Sequence, residues 1–196
     1  MSITAAMVKE LREKTGAGMM DCKNALQEGN GDIKKAIEYL RKKGMAAAQK
    51  RSVRTTKEGI IDAYIHPGNR LGVLIEVNCE TDFVAKNEEF KKFIRNMAMQ
   101  VAASNPLVVQ KDDLSKEMIE KELEVYRSQA KEAGKPDNLI DKIAQGKLGK
   151  YYQEVCLLEQ SYIRDPGKTV QDMVTDIRSV IGENLVIKRF ERFQLG

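Results

Sequence analysis

The chain has little of what metal and redox sites are built from. Its 196 residues include three cysteines, Cys22, Cys79 and Cys156, and a single histidine, His66. The cysteines are odd in number, far apart, and form no CxxC pair. A structural zinc site takes about four clustered sulfur or nitrogen ligands, which this set does not supply. Three reduced, partly buried thiols are expected instead, with no metal. No apolar run nears the ~18 residues of a membrane span. Residues 1–10 lack a basic flank, an apolar stretch and a small-residue cleavage site, so no secretory signal is expected. Helical charge spacing there also argues against a transit peptide, and the cytoplasm is the expected compartment. Neither GxxxxGK[ST] nor GxGxxG occurs, which excludes the common phosphate-cradling loops. A Ser-His-Asp arrangement would have to use His66, beside the Pro67-Gly68 turn, where a histidine is ordinarily solvated. The acidic residues fall on helix faces, where solvated charge is the usual explanation. An enzyme is therefore not expected, nor a cofactor.

What is present is a globular composition, 42% hydrophobic and 32% charged, long enough for one ordinary domain plus a small accessory one. Such a chain buries a core without disulfide staples. The net charge is +4, and it has one source. Residues 41–57 hold seven basic residues (Arg41, Lys42, Lys43, Lys50, Arg51, Arg54 and Lys57) and no acidic one, leaving the rest of the chain at −3.

Along the chain, the first 45 residues predict three short helices. Thr4 caps the first, with Met7, Val8 and Leu11 as its stripe and Gly16 as its end. Met19, Cys22, Ala25 and Leu26 mark the second, up to Gly29. Asp32 caps the third, where Ile33, Ala36, Ile37 and Leu40 repeat at helical spacing, and Gly44 is expected to end it. Residues 46–58 then predict a basic linker, helical at its start.

The period changes after that. Residues 59–66 and 71–78, rich in Ile, Val and Leu, flank His66-Pro67-Gly68-Asn69-Arg70 and predict a β-hairpin. Asn87 caps a strong helix with the stripe Phe90, Phe93, Ile94, Met97, Ala98 and Val101, which must cover one sheet face. Residues 115–133 and about 136–145 predict a helical hairpin broken at Gly134-Lys135-Pro136, with Met118, Ile119, Leu123 and Tyr126 as contacts. Residues 151–163 give no clear pattern. Val170, Met173, Val174, Ile177 and Ile181 mark a helix ended by Gly182. Residues 185–195 predict a last strand with Leu185, Ile187 and Phe193 on one side, returning to the hairpin. The expected fold is α+β: a three-helix module (1–45), the basic linker (46–58), and a body (59–196) of antiparallel sheet and packed helices.

Two loops stand out. In Thr15-Gly16-Ala17-Gly18-Met19-Met20, two adjacent methionines cannot both point inward from a helix start. One of them packs the bundle with the other incidental, or one lies against a partner, a use that suits a soft side chain. In Thr81-Asp82-Phe83-Val84-Ala85-Lys86, Asp82 is a local cap with Phe83 or Val84 stapled into the core. Alternatively, an acidic-aromatic pair is presented at a strand end for a partner's pocket.

Two long segments resemble the translation elongation factor Ts family. One is Val8-Lys9-Glu10-Leu11-Arg12-Glu13-Lys14-Thr15-Gly16-Ala17-Gly18-Met19-Met20-Asp21-Cys22-Lys23-Asn24-Ala25-Leu26. The other is Glu76-Val77-Asn78-Cys79-Glu80-Thr81-Asp82-Phe83-Val84-Ala85. The closing Ile181-Gly182-Glu183-Asn184, through Arg189-Phe190, is also family-like, so the resemblance runs essentially end to end. It implies guanine-nucleotide exchange on elongation factor Tu, with an N-terminal bundle of the ubiquitin-associated-like type. It puts Arg12, Met19 and Met20 against the partner's nucleotide-binding domain, and Thr81, Asp82, Phe83 and Val84 near its magnesium site. Longer members carry two body subdomains where this chain shows one, so a homodimer is expected. The competing expectation is RNA or ribosome binding by residues 41–57, which have the charge but no aromatic residue for stacking. No specific nucleic acid and no membrane are expected as partners.

Overall fold

The computed structural model describes residues 3–196; residues 1 and 2, part of the expected 1–45 module, lie outside the described residues. Three helices open the chain: α1 (Ala5–Thr15), α2 (Met19–Glu28) and α3 (Ile33–Arg51). Thr4 accepts from the Met7 amide and caps α1, and Gly16 ends it in the left-handed region at φ 67°. Val8, Leu11, Cys22, Ala25, Leu26 and Ala36 form a small core of their own.

The helix end expected at Gly44 is corrected: α3 runs on to Arg51. A glycine inside a helix costs about 1 kcal/mol relative to alanine, and here its missing side chain has a use. A Cβ at Gly44 would lie 2.2 Å from Ser179 Oγ and 3.3 Å from Ser179 Cβ. Gly44 therefore marks the close approach of α3 to α8 (Val170–Ile181).

The body is built on a three-stranded antiparallel sheet in the order β1 (Glu58–Ile65), β2 (Leu71–Cys79), β5 (Leu185–Gln194). Between β2 and β5 lie a single turn α4 (Asp82–Ala85), α5 (Glu88–Ser104), the helical hairpin α6 (Lys116–Glu132) and α7 (Asp137–Val155), the short strands β3 (Ser161–Tyr162) and β4 (Asp165–Thr169), and α8. Asn87 caps α5 by accepting from the Glu89 and Phe90 amides. All six residues of its predicted stripe are buried against Val73, Ile75 and Val77 of β2. Each buried large side chain contributes about 1.5–3 kcal/mol, so this stripe fixes which sheet face is inside. Val170 and Val174 of α8 complete the same core.

Three further expectations are revised. α7 continues past residue 145 to Val155, through Gly146 and Gly149, where an added Cβ would meet nothing. Residues 151–163, which gave no pattern, hold the end of α7, one 3-10 turn and β3. Phe193 does not share a side with Leu185 and Ile187. β5 is bulged at Lys188, since Val77 pairs with Ile187 but Glu76 with Arg189. One extra residue reverses the alternation. Phe190 thus packs on the core, and Phe193 is turned outward, 67% exposed.

Candidate functional site

Thr81, Asp82, Phe83 and Val84 occupy the corner between β2 and α5. Thr81 is extended and its hydroxyl makes no cap bond to α4. It donates instead to Glu183 Oε1 at 2.7 Å, and the Glu80 and Thr81 amides both donate to Glu183 Oε2 at 3.1 Å. The Cys79 thiol donates to the Thr81 carbonyl at 3.2 Å. Burial pushes the Cys79 thiol up to about 11.

Successive residues on a helical turn point about 100° apart, so one of a pair can enter the core while its neighbour stays outside. Here Val84 is inside at 8% exposure and joins the main core, while Phe83 is outside at 80%. Val84 is the staple; Phe83 is not. The Lys86 ammonium donates to Asp82 Oδ2 at 2.7 Å and holds that carboxyl below its usual range. Both groups are solvent-facing, so the pair adds little stability.

The other predicted residues lie on the N-terminal module. Gly16 and Gly18 make the turn between α1 and α2, and Met19 and Met20 open α2 at 48% and 66% exposure. Cys22 takes the inward position on that helix. Arg12 is exposed on α1. Arg12, Met19 and Met20 thus lie on the helices that enclose the small N-terminal core, whereas Val84 anchors the 81–84 corner to the main core.

The basic segment is mostly helix. Residues 41–51 are the second half of α3, and three of the seven cations are engaged: Lys42 with Glu38, Lys43 with Asp21 (both 2.9 Å), and Arg54 with Glu80 at 3.5 Å.

Two features were not predicted. The first is a polar junction around Glu183 and Asn184. Gly182 ends α8 at φ 83°, which turns the chain so that both following residues face the 80–81 corner. The Asn184 amide donates to Glu80 Oε1 at 2.6 Å. Its buried side chain donates to the carbonyls of Ser52 (3.2 Å) and Arg54 (2.7 Å). The sequence signal was a glycine helix stop followed at once by two hydrogen-bonding residues. The second is the outer sheet face, where Ile61, Ile65, Leu74 and Phe193 are exposed. Its signal lay in Ile60-Ile61 and Val73-Leu74-Ile75, apolar on both faces where a one-sided strand would alternate.

No group of three or more His, Cys, Asp and Glu suited to a metal ion exists among the described residues. No helix among them is long and apolar enough to cross a membrane. The fold and these surfaces define a mixed α+β protein, a small helical module joined to a helix-covered antiparallel sheet, with apolar side chains displayed on both parts. The family model described as Elongation factor TS matches residues 2–196. Curated relatives named Elongation factor Ts include those of Caldanaerobacter subterraneus subsp. tengcongensis, 59% identical over 99% of this chain and 97% of the relative, and of Syntrophobacter fumaroxidans, 55% identical over 100% and 98%. The one from Geobacter sulfurreducens is 53% identical over 100% of this chain and 91% of its own. The chain belongs to the elongation factor Ts family, the guanine-nucleotide exchange factors for elongation factor Tu in translation elongation.

Proposed function

We propose that this chain speeds GDP release from elongation factor Tu by contact alone, making and breaking no covalent bond, in the cytoplasm. The observation that carries the assignment of residues is Phe83, an aromatic held outside the core on a turn whose neighbour Val84 is stapled inside. A large apolar side chain kept in water forgoes about 1.5–3 kcal/mol of burial. That loss is recovered when the side chain enters a partner's pocket. Phe83 is the wedge, and Asp82 the polar group that stabilises the displaced arrangement; Thr81 and Val84 fix the turn beneath them. The target is a magnesium-bound phosphate site. Mg²⁺ demands near-ideal octahedral geometry, so a small displacement of its surroundings weakens nucleotide binding.

The division of the chain follows from this. The 1–45 module binds through Arg12, Met19 and Met20, residues 46–58, the end of α3 and the segment after it, connect it, and residues 59–196 form the core and dimerisation unit. Linkage requires that whatever factor weakens GDP also be weakened by GDP in the same ratio, with about 1.4 kcal/mol for each tenfold.

The outer sheet face takes a second copy of this chain. Ile65, Leu74, Phe193 and Leu195 line an apolar hollow of about 480 Å³ beside Gly72, where an added Cβ would lie 3.0 Å from Ile65 Cδ1. The neighbouring positions carry both signs, Glu191 with Arg70 and with Arg189, which also pairs with Glu76, a mixture that a patch meeting its own copy across a twofold axis can use. Neither RNA nor a membrane is a partner in this proposal.

Release of labelled GDP from purified elongation factor Tu, with and without this chain, tests the exchange activity. Faster release is expected; an unchanged rate would overturn the assignment.

A further inference from the structure

Three segments remote in sequence meet at one polar junction: residues 52–54 after α3, residues 80–81 before α4, and residues 183–184 after α8. Its two halves act on different surfaces. Glu183 accepts three hydrogen bonds, all from residues 80 and 81, and so holds the base of the turn that carries Asp82 and Phe83. Asn184 reaches the other way, donating from its buried side chain to the Ser52 and Arg54 carbonyls, and so holds the tether of the N-terminal module. Its side-chain carbonyl oxygen is buried without a protein partner, so only donation anchors it. Glu80 closes the junction, accepting from the Asn184 amide and pairing with Arg54.

We infer that Glu183 and Asn184 are positioning residues for nucleotide exchange: Glu183 fixes the aim of the Phe83 turn, and Asn184 fixes the N-terminal module relative to it. Neither has to touch the partner. A wedge acts only if its base does not yield, since a misplacement of about 1 Å in a working group costs on the order of a hundredfold in rate. A carboxylate with three donors is a stiff base, because charge-assisted hydrogen bonds are about twice as strong as neutral ones. The tether matters differently. Two contacts held at a fixed separation bind as a chelate, and a loose tether lowers the effective concentration of the second contact.

The two roles predict opposite kinetic splits, and the inference rests on the exchange reading above. GDP release from elongation factor Tu is followed by stopped flow against increasing concentrations of the full chain. Glu183→Gln is expected to lower the maximal release rate about tenfold and to change the half-saturating concentration less than threefold. Asn184→Ala, which keeps the backbone donor to Glu80, is expected to raise the half-saturating concentration about tenfold with less than a threefold change in the maximal rate. Thr81→Val, which removes one donor while keeping shape, repeats the Glu183→Gln pattern in milder form, and Thr81→Ser recovers at least half of the loss. This pair keeps the inference testable if Glu183→Gln fails to fold. No acceleration by the parent chain would sink the exchange reading itself. An active parent whose folded variants keep both its maximal rate and its half-saturating concentration, or lose rate and affinity in equal measure, would overturn the positioning roles alone.

Discussion

Single residues separate stability from function most cleanly at positions 83 and 84. Val84 is in the core and Phe83 is in solvent, so truncating Phe83 removes no packing, and exposed substitutions ordinarily change stability by less than about 0.5 kcal/mol. Phe83→Ala is therefore expected to leave the thermal midpoint within about 2 °C of the parent, yet to slow stimulated GDP release tenfold or more. Calorimetry and the release assay, run on the same sample, check both halves. The thiols make a second prediction. Burial holds Cys79 and Cys156 at about 11 in the folded chain, against 9.0 when unperturbed. Between these values the unfolded chain has lost protons that the folded chain still binds, so stability falls as pH rises through that window. Each thiol withdraws on the order of 2 kcal/mol by the upper end. Denaturant midpoints from pH 8 to 11 should show a shallower decline for Cys79→Ala than for the parent. The odd count and wide spacing led to the expectation of three reduced, partly buried thiols, and Cys22, Cys79 and Cys156 are all buried.

Among the elements, the crossing of α3 and α8 shows how a local rule is overridden. A glycine after a helical stripe ordinarily ends a helix, which is why Gly44 read as a stop. In the folded chain it lies mid-helix, where Ser179 of α8 leaves no room for a Cβ. Packing between distant helices sets that requirement, and no window of local sequence contains it. Gly44→Leu is expected to overpack the crossing by about 1–3 kcal/mol, lowering the thermal midpoint by roughly 3–10 °C. Gly44→Ala should cost less, and Ser179→Ala should recover part of that smaller loss, because the two positions are in contact. Thermal melts of the two single alanine variants and their double variant measure the coupling. The β5 bulge is a similar case. Alternation placed Phe193 with Leu185 and Ile187, but the extra Lys188 shifts the register and hands the core position to Phe190.

At the scale of the whole molecule, the body has one covered sheet face and one open one. α5 and α8 bury the first. The second exposes Ile61, Ile65, Leu74 and Phe193 together, an apolar patch of the kind that marks an interaction surface. A stable interface covers about 800 Å² per partner. Two copies of this chain meeting through that face are expected to give twice the chain mass by size-exclusion chromatography with light scattering. Phe193→Asp should return the single-chain mass, because a carboxylate at the centre of an apolar contact loses its hydration without a partner. Parent chain running at single-chain mass at micromolar concentration would instead leave the face to elongation factor Tu or to no partner.

The sequence by itself determined the elements whose signals are local. Caps at Thr4, Asp32 and Asn87, the α5 stripe, the Pro67-Gly68 turn and the Gly182 stop each depend on residues within a few positions of one another, and each stands in the structure as read. It also determined the family, because two long motifs in order leave little to chance. Tertiary structure alone decided the rest. It chose Val84 over Phe83 for the core, since that choice depends on the angle at which α4 meets the sheet. It carried α3 past Gly44, since that depends on α8. It also drew Glu183 and Asn184, about a hundred residues downstream, beneath the turn that carries Phe83, a meeting that exists only once β5 has paired with β2.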